Sequence, residues 1–239
     1  MLPTILIIRP EEAAIRFEQE LIARFGADLR ILRAPAMRME FLSPQVKWVS
    51  INTLVFTSHV AVQAFAALTD DRAFACYAVG STTATAARAI GLDPVDCKGD
   101  AAELVKVLLA ARPQLPALYL RGEHVSEDIA AKLDQSGITV QSAIVYRQHA
   151  KRLTSEAKDL LQSANPVIVP LMSARSSRLL FDQANPAAQI YPVAISNKVA
   201  ATVPEAYSAQ LRTALKPNLQ AVLDEVAKQI RDVKRLEGL

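Results

Sequence analysis

Hydrophobic and polar residues follow a repeating pattern in which a short apolar run precedes a stretch with helical spacing. The first run is the β-branched segment at residues 4–8, after which apolar Ala14, Phe17 and Leu21 recur three or four positions apart. That spacing places the three side chains on one face of a helix. Gly26 follows the stretch, and glycine commonly ends helices because it adopts the left-handed conformation. The pattern predicts a strand followed by a helix.

A second copy of this unit lies in the other half of the chain. Residues 118–122 form an apolar run that contains Arg121, and Gly137 closes the helical pattern behind it. Arg9 and Gly26 hold the equivalent places about 112 residues earlier. Later strand and helix patterns repeat with a similar offset, so two halves of about 115 residues share one element order. Alternating strands and helices predict an α/β fold with parallel sheets that carry helices on both faces.

Individual residues mark where some elements begin or break. Asp100 and Asn218 each precede an apolar helical pattern, and both residue types are good N-caps because their side chains accept backbone N–H groups. Pro170 interrupts the apolar run of residues 167–172. Because proline cannot donate a ladder hydrogen bond, this position predicts an edge strand or a β-bulge.

The composition is that of a compact folded protein. Of 239 residues, 51% are hydrophobic and 21% are charged, so the chain can form one large domain or two of roughly 100 to 130 residues. The formal net charge is +3, with the basic excess in the second half, and aromatic residues make up only 5%. This argues against a dedicated nucleic-acid-binding surface, which needs a basic stripe with aromatics, but allows an anionic small molecule.

Several cofactor and metal sites are absent from the sequence. Its seven glycines include no G-x-G pair, which excludes the dinucleotide fingerprint and the P-loop. Two cysteines about 21 residues apart and three scattered histidines offer neither a metal-ligand spacing nor a disulfide framework. No stretch approaches 18 uncharged apolar residues. We therefore expect no cofactor, no metal, no membrane association and a cytoplasmic protein.

The chemistry of the chain concentrates where predicted strands end. In α/β sheets, ligands bind outside the carboxyl ends of the strands, where helix N-termini present unpaired N–H groups. These positions are rich in hydroxyl groups and basic residues, and they contain no pair of carboxylates and no metal shell, so they are suited to holding an anion. The candidate binding residues are Arg9, Thr57, Ser58, Thr83, Arg121, Ser173, Ser196 and Lys198.

At these strand ends the chain resembles the uroporphyrinogen-III synthase family over nearly its whole length. Five short segments carry the resemblance through their order and spacing. They are residues 7–10, 55–58 with 61–62, 79–80 with 83–84, 118–122 leading to 137 and 145–147, and 194–196 with 199–200.

The resemblance implies two α/β domains joined by a two-stranded connector, with the active site in the cleft between them. The first domain of the family is discontinuous, which implies that residues 1–35 join residues 149–239, and that residues 36–148 form the second domain. The internal repeat alone would divide the chain near residue 115. We adopt the family arrangement, because a sequence repeat does not report which copy of a unit packs where.

The resemblance also implies a reaction. The family closes hydroxymethylbilane, a linear tetrapyrrole with eight carboxylates, by expelling its terminal hydroxyl and inverting ring D, without a cofactor. In this chain Tyr146 falls on the family's candidate acid, at the end of the β run of residues 138–145. A phenol stays protonated at pH 7 and can donate to a leaving hydroxyl. The alternative is that Tyr146 only packs between strands.

The remaining candidates also have ordinary structural alternatives. The five hydroxyl residues would bind substrate carboxylates, or would simply cap helices. The three basic residues would pair with carboxylates, or would be solvated surface charges. The enzyme is expected to act as a monomer on its small-molecule substrate, without nucleic acid. A two-domain protein that binds an anion without catalysis remains as an alternative, and a sugar-nucleotide transferase is disfavoured because no acidic metal-binding pair is present.

Overall fold

The computed structural model describes residues 3–27, 29–125, 128–184 and 188–236. The chain forms two compact units. Unit 1 consists of Met1–Arg38 together with His149–Leu239, and unit 2 consists of Met39–Gln148. Each unit holds its own sheet, and in both sheets the pairings between neighbouring strands for which the register is defined are parallel. The predicted α/β class with parallel sheets flanked by helices is confirmed.

The sheet of unit 1 has five strands. They are β1 Thr4–Ile7, β2 Arg30–Arg33, β9 Val167–Leu171, β10 Ile190–Ala194 and β11 Arg212–Thr213, and their order in the sheet is β11-β10-β9-β1-β2. The helices of the unit are α1 Glu11–Phe25, α6 Ser155–Gln162, α7 Ala174–Phe181, α8 Asn197–Ala200 and α9 Leu219–Leu236. Two buried apolar clusters belong to this unit, and each contains residues of both β1 and β9. These two strands therefore bury side chains on both faces of the sheet, which explains why their sequences are almost entirely apolar.

Helix α1 forms where the apolar spacing predicts it. Ala14, Phe17 and Leu21 are its buried residues. Gly26 follows the last turn with φ of 88°, a left-handed conformation that side chains other than glycine rarely adopt, and its N–H bonds to the carbonyl of Ile22. The helix therefore ends where the glycine stands.

The prediction for Pro170 is wrong. Strand β9 is the middle strand of its sheet, and Pro170 pairs in regular register with Val193 of β10. The strand tolerates proline because the register between β9 and β1 covers only Val167 and Ile168, so Pro170 lies beyond the end of that ladder. The missing backbone N–H of Pro170 therefore costs little stability, because no residue of β1 pairs with this position and needs that donor.

The sheet of unit 2 has six strands. They are β3 Met37–Phe41, β4 Thr53–Phe56, β5 Ala75–Ala78, β6 Pro94–Asp96, β7 Ala117–Gly122 and β8 Val140–Ala150, and their order in the sheet is β3-β8-β7-β4-β5-β6. The helices of the unit are α2 His59–Ala66, α3 Ser81–Ala89, α4 Ala101–Ala111 and α5 Ile129–Gln135. The predicted caps are present in both units, since the Asp100 carboxylate accepts the N–H groups of Ala102 and Glu103, and Asn218 accepts that of Ala221.

The strand order gives each sheet a point where the chain changes direction across the sheet. In unit 2 the chain runs from β4 to β5 and β6 on one side, and returns through β7 to β8 on the other. In unit 1 it leaves β1 toward β2 and later runs from β9 to β10 and β11 on the opposite side. The connections therefore diverge at β4/β7 and at β1/β9. Such divergence opens a crevice at the carboxyl ends of the strands, where α/β proteins bind ligands.

Candidate active site

A pocket of about 320 Å³ lies in unit 2 at the carboxyl ends of β4 and β7. It is the crevice that the strand order predicts. Its lining combines hydroxyl groups, two phenols, an imidazole, a carboxylate and apolar side chains. The lining residues are Thr57, Ser58, Val79, Asp100, Ala101, Tyr119, Gly122, His124, Val125, Ile129 and Tyr146. Three of the sequence candidates, Thr57, Ser58 and Tyr146, meet in this pocket.

Tyr146 is held in the pocket by close packing against a glycine. It lies within β8 and is only 7% exposed, and the strand continues past the predicted end at Val145 to Ala150. A Cβ atom at Gly122 would come within 2.5 Å of the Tyr146 ring and 2.8 Å of its hydroxyl oxygen. Real Cβ atoms do not approach so closely, so the absence of a side chain at position 122 makes room for the phenol.

Thr57 follows β4 and contacts a second, deeper phenol. Its Oγ1 lies 3.0 Å from the hydroxyl oxygen of Tyr119, a residue of β7 that is 1% exposed. Burial raises the pKa of Tyr119. Tyr119 is therefore a neutral phenol at physiological pH, and it lies beneath a hydroxyl of the pocket.

Ser58 caps helix α2, and Thr83 lies elsewhere. The Ser58 Oγ accepts the N–H of Val60 at 3.1 Å, which leaves its own proton available to another acceptor. Thr83 is in helix α3, is 5% exposed, and is absent from the residues that line the pocket. Among the two, the structure brings only Ser58 to the pocket.

Arg121 lies next to the pocket but does not line it. Its guanidinium donates to the carbonyl oxygens of Gly122 at 3.1 Å and Glu123 at 3.4 Å. The nearby Glu123 carboxylate instead pairs with Arg147, at 2.8 Å. Arg121 is thus a half-buried cation at the end of β7 that hydrogen bonds to backbone carbonyls.

The pocket lining itself carries no lysine or arginine among the described residues. Its one carboxylate in that part of the chain, Asp100, accepts backbone N–H groups at the start of α4, and these bonds hold the pKa of Asp100 below its usual value. Sequence reasoning identified Asp100 as a cap, but did not identify Tyr119, Gly122 or His124 as part of a site. Tyr119 could have been noticed because successive residues of a strand face opposite sides of the sheet. Leu118 and Leu120 belong to one buried cluster of unit 2, and Tyr119 belongs to the other.

Arg9 lies at the equivalent divergence point of unit 1, directly after β1. Its guanidinium carbon is 5.6 Å from the centre of the Phe17 ring, and Phe17 is buried. Burial, and secondarily the charge of Arg16, lower the pKa of Arg9, although an arginine remains charged at neutral pH. In the described part of the chain, no carboxylate forms an ion pair with Arg9. Arg9 is therefore a half-buried cation that the described carboxylates leave unpaired.

The other unit 1 candidates follow β9 and β10. Ser173 caps α7 by accepting the N–H of Ser176 at 3.1 Å, and the two hydroxyl oxygens lie 2.8 Å apart. Ser196 precedes the short helix α8 and makes no side-chain capping bond, and Lys198 is exposed. Ser173 shares the divergence point with Arg9, whereas Ser196 and Lys198 lie one strand away, after β10.

Two further properties concern the described residues as a set. No group of three or more His, Cys, Asp or Glu side chains is arranged there to hold a metal ion. No helix in that part of the chain combines the length and the apolar character needed to span a membrane.

Comparison with known proteins gives one family and a set of related folds. The sequence profile described as "Uroporphyrinogen-III synthase HemD" matches residues 18–224. Comparison with curated protein sequences gave no match.

Two of the similar solved structures share this fold at low sequence identity. The uroporphyrinogen-III synthetase from Helicobacter pylori 26695 superposes with a TM-score of 0.71 at 16% identity, over 95% of this chain and 99% of that one. A mutant uroporphyrinogen III synthase from the extremely thermophilic bacterium Thermus thermophilus gives 0.54 at 16% identity, over 96% and 99% of the two chains.

Proposed function

The chain belongs to the uroporphyrinogen-III synthase family, and from this we propose that Tyr146 and the hydroxyl groups of the unit 2 pocket carry its chemistry. The family makes the chain an enzyme of tetrapyrrole biosynthesis, a cyclising lyase with hydroxymethylbilane as substrate. The observation that carries the proposal is that Tyr146, Thr57 and Ser58 line one pocket at the divergence point of the unit 2 sheet.

The reaction has three chemical requirements. The terminal hydroxyl of the bilane must receive a proton to leave as water. The eight carboxylates must meet N–H groups, hydroxyl groups or cations. The flexible chain must also be held in the conformation from which the macrocycle closes with ring D inverted. Because unaided closure gives the uninverted type I isomer, positioning contributes more than acid strength.

Tyr146 fits the role of proton donor. A tyrosine side chain carries a phenol proton that it can give to a leaving hydroxyl. The Tyr146 ring lies in the pocket beside Gly122, and no other described side chain forms a hydrogen bond with its hydroxyl. A donor that is fixed by packing and not engaged elsewhere is available to the departing hydroxyl.

Each unit, taken by itself, offers groups that can bind carboxylates. In unit 2, Thr57 and Ser58 offer hydroxyl protons. In unit 1, Arg9 offers a positive charge held on an aromatic ring, and Ser173 stands at the start of the next helix. Thr83, Arg121, Ser196 and Lys198 are peripheral candidates, because they lie at or shortly after strand ends but do not line the pocket. We propose further that the enzyme acts as a cytoplasmic monomer without nucleic acid; sedimentation at working concentration would test the monomeric state.

The experiment that tests the proposal replaces Tyr146 with phenylalanine. The change keeps the ring that packs on Gly122 and removes only the hydroxyl, so the fold should stand. Loss of a positioned general acid usually costs about 10² to 10⁴ in rate, and we expect formation of the type III isomer to fall by a factor in the same range. Type I product should rise in parallel, because unconverted bilane cyclises unaided. Chromatography of the oxidised products measures both isomers.

The matched control is Tyr77→Phe. Tyr77 lies on β5 in the same sheet, is 8% exposed, and does not line the pocket. This variant should keep the parent rate and isomer ratio. If Tyr146→Phe also keeps the parent rate at saturating substrate, Tyr146 is a packing residue and the proton must come from bound water or from the substrate.

A further inference from the structure

The Tyr119 hydroxyl is a buried polar group at the centre of the pocket floor. Tyr119 is 1% exposed, lies on β7, and lines the pocket together with Thr57 and Tyr146. Its hydroxyl oxygen is 3.0 Å from Thr57 Oγ1. A phenylalanine would satisfy the apolar contacts of this ring with its buried cluster, so packing alone does not account for the hydroxyl.

The direction of the proton in this pair follows from chemistry. A hydroxyl has one proton and two lone pairs, so Thr57 cannot donate both to Tyr119 and to a ligand. A phenol is the stronger acid of the two, and burial raises the pKa of Tyr119, which keeps its proton in place. Thr57 is also the partner that the structure gives to the Tyr119 hydroxyl. Tyr119 therefore donates and Thr57 accepts whenever an acceptor occupies the pocket.

That direction decides what Thr57 can bind. With one lone pair taken by Tyr119, the Thr57 hydroxyl turns its own proton toward the pocket. A carboxylate offers only acceptors, so the Thr57 proton fits it. Chains of hydrogen bonds polarise their members, so donation from Tyr119 strengthens the bond that Thr57 makes.

We propose that Tyr119 is a positioning residue that acts through Thr57 and orients the Thr57 hydroxyl as a donor to a substrate carboxylate. This inference rests on the proposed function, because it deepens the role of Thr57 in the same pocket. Tyr119 does not itself touch the reacting atoms. Its effect should appear mainly in KM and in ligand affinity, and much less in kcat.

The test compares Tyr119→Phe, Thr57→Val, Thr57→Ser and the Tyr119→Phe/Thr57→Val double variant. We expect Tyr119→Phe to lower kcat/KM for hydroxymethylbilane by about 3- to 10-fold through KM, which is the range for one neutral hydrogen bond. Thr57→Val should lower it at least as much. The double variant should equal Thr57→Val, since Tyr119 has nothing to orient once the hydroxyl is gone. Thr57→Ser keeps the hydroxyl and should recover most of the kcat/KM that Thr57→Val loses.

A second readout does not need turnover. Uroporphyrin, a stable cyclic octacarboxylate, serves as an equilibrium probe whose binding is followed by fluorescence. The affinity changes should follow the same order across the variants, and Tyr77→Phe, which alters a tyrosine outside the pocket, should leave the affinity unchanged.

Two outcomes would overturn the inference. Either Tyr119→Phe keeps the parent KM and affinity, or the two single effects multiply in the double variant. Failure of the underlying function looks different. In that case the parent enzyme itself gives no type III product, while the binding series still reports whether Tyr119 acts through Thr57.

Discussion

At the scale of single residues, the site depends on Gly122 having no side chain. Gly122 does not adopt a left-handed conformation, so backbone freedom does not explain it. Its role is steric, because a Cβ atom there would overlap the Tyr146 ring at 2.5 Å. In the sequence, Gly122 ends one predicted strand segment and Tyr146 lies in another. The sequence pattern does not show that the two residues touch. Their contact arises from the pairing of β7 with β8, which sets Gly122 opposite Tyr146.

Gly122→Ala should therefore impair Tyr146 indirectly, by displacing its ring. The added methyl group displaces a ring that is buried between strands, and overpacking of this kind costs roughly 1 to 3 kcal/mol. We expect a lower melting temperature, together with a loss of type III formation at least as large as that in Tyr146→Phe. Thermal unfolding and the isomer assay measure the two effects.

Gly80→Ala provides the control. Its Cβ would meet only the carbonyl oxygen of Gly99, at an ordinary distance of 3.6 Å, and its φ of −162° is extended backbone. This variant should keep the parent's activity and lower the melting temperature only slightly, because Gly80 is the N-cap of α3 and alanine is a poorer N-cap than glycine. An active Gly122→Ala enzyme would show that Tyr146 has room to move and need not occupy the position seen here.

The two cysteines give a prediction about reactivity. Burial raises the pKa of Cys76 to about 12 and that of Cys97 to about 11, so both are thiols at pH 8. Iodoacetamide at pH 8 should label the native protein slowly and the guanidinium-unfolded protein fully, as read by mass spectrometry. Rapid labelling of the native protein would contradict this burial.

At the scale of elements, hydrophobic spacing and capping residues predicted most of the fold, and they failed where pairing partners decide. The apolar face of α1 and the caps at Asp100 and Asn218 are local features, and all are present. Pro170 was misread because the length of the β1/β9 ladder is not visible in the sequence. Strand β8 extends to Ala150 because it has neighbours on both sides, which a local pattern does not report.

Capping also gives a stability prediction away from the site. The Thr154 hydroxyl accepts the N–H of Ala157 at 3.2 Å and begins helix α6. Thr154→Ala removes this acceptor and should lower the free energy of unfolding by about 1 kcal/mol, with activity unchanged. Thr154→Ser should restore it. Chemical denaturation measures the difference, and equal stability of both variants would mean that the cap contributes nothing.

At the scale of the whole molecule, the internal repeat suggested a division near residue 115, whereas the strand pairing groups the chain differently. Strand β1 pairs with β9, more than 150 residues later, and β4 pairs with β7. The first strand and helix of the chain, β1 and α1, therefore belong with the C-terminal half, because β1 lies in the sheet with β9, β10 and β11. A similarity between two sequence segments does not report which sheet each one joins, whereas hydrogen bonding does.

Fragment folding should follow the pairing. A fragment of residues 36–148 contains five strands of the unit 2 sheet complete and β8 up to Gln148, and it should unfold cooperatively. A fragment of residues 1–115 lacks both β7 and β9 and should not, since β4 and β1 then each lose a central neighbour. Chemical denaturation and amide proton dispersion distinguish the two. A cooperative transition in the 1–115 fragment would return the boundary to residue 115.

Purified enzyme is expected to close hydroxymethylbilane with inversion of ring D, by donating a proton and positioning the substrate. The most direct measurement is the ratio of type III to type I product formed by purified enzyme dialysed against EDTA, with an enzyme-free reaction beside it. The expectation is mainly type III product with enzyme, without any added cofactor or metal, and type I product without enzyme. Type I product at the unaided rate in both reactions, or type III product only after a divalent ion is added, would contradict it.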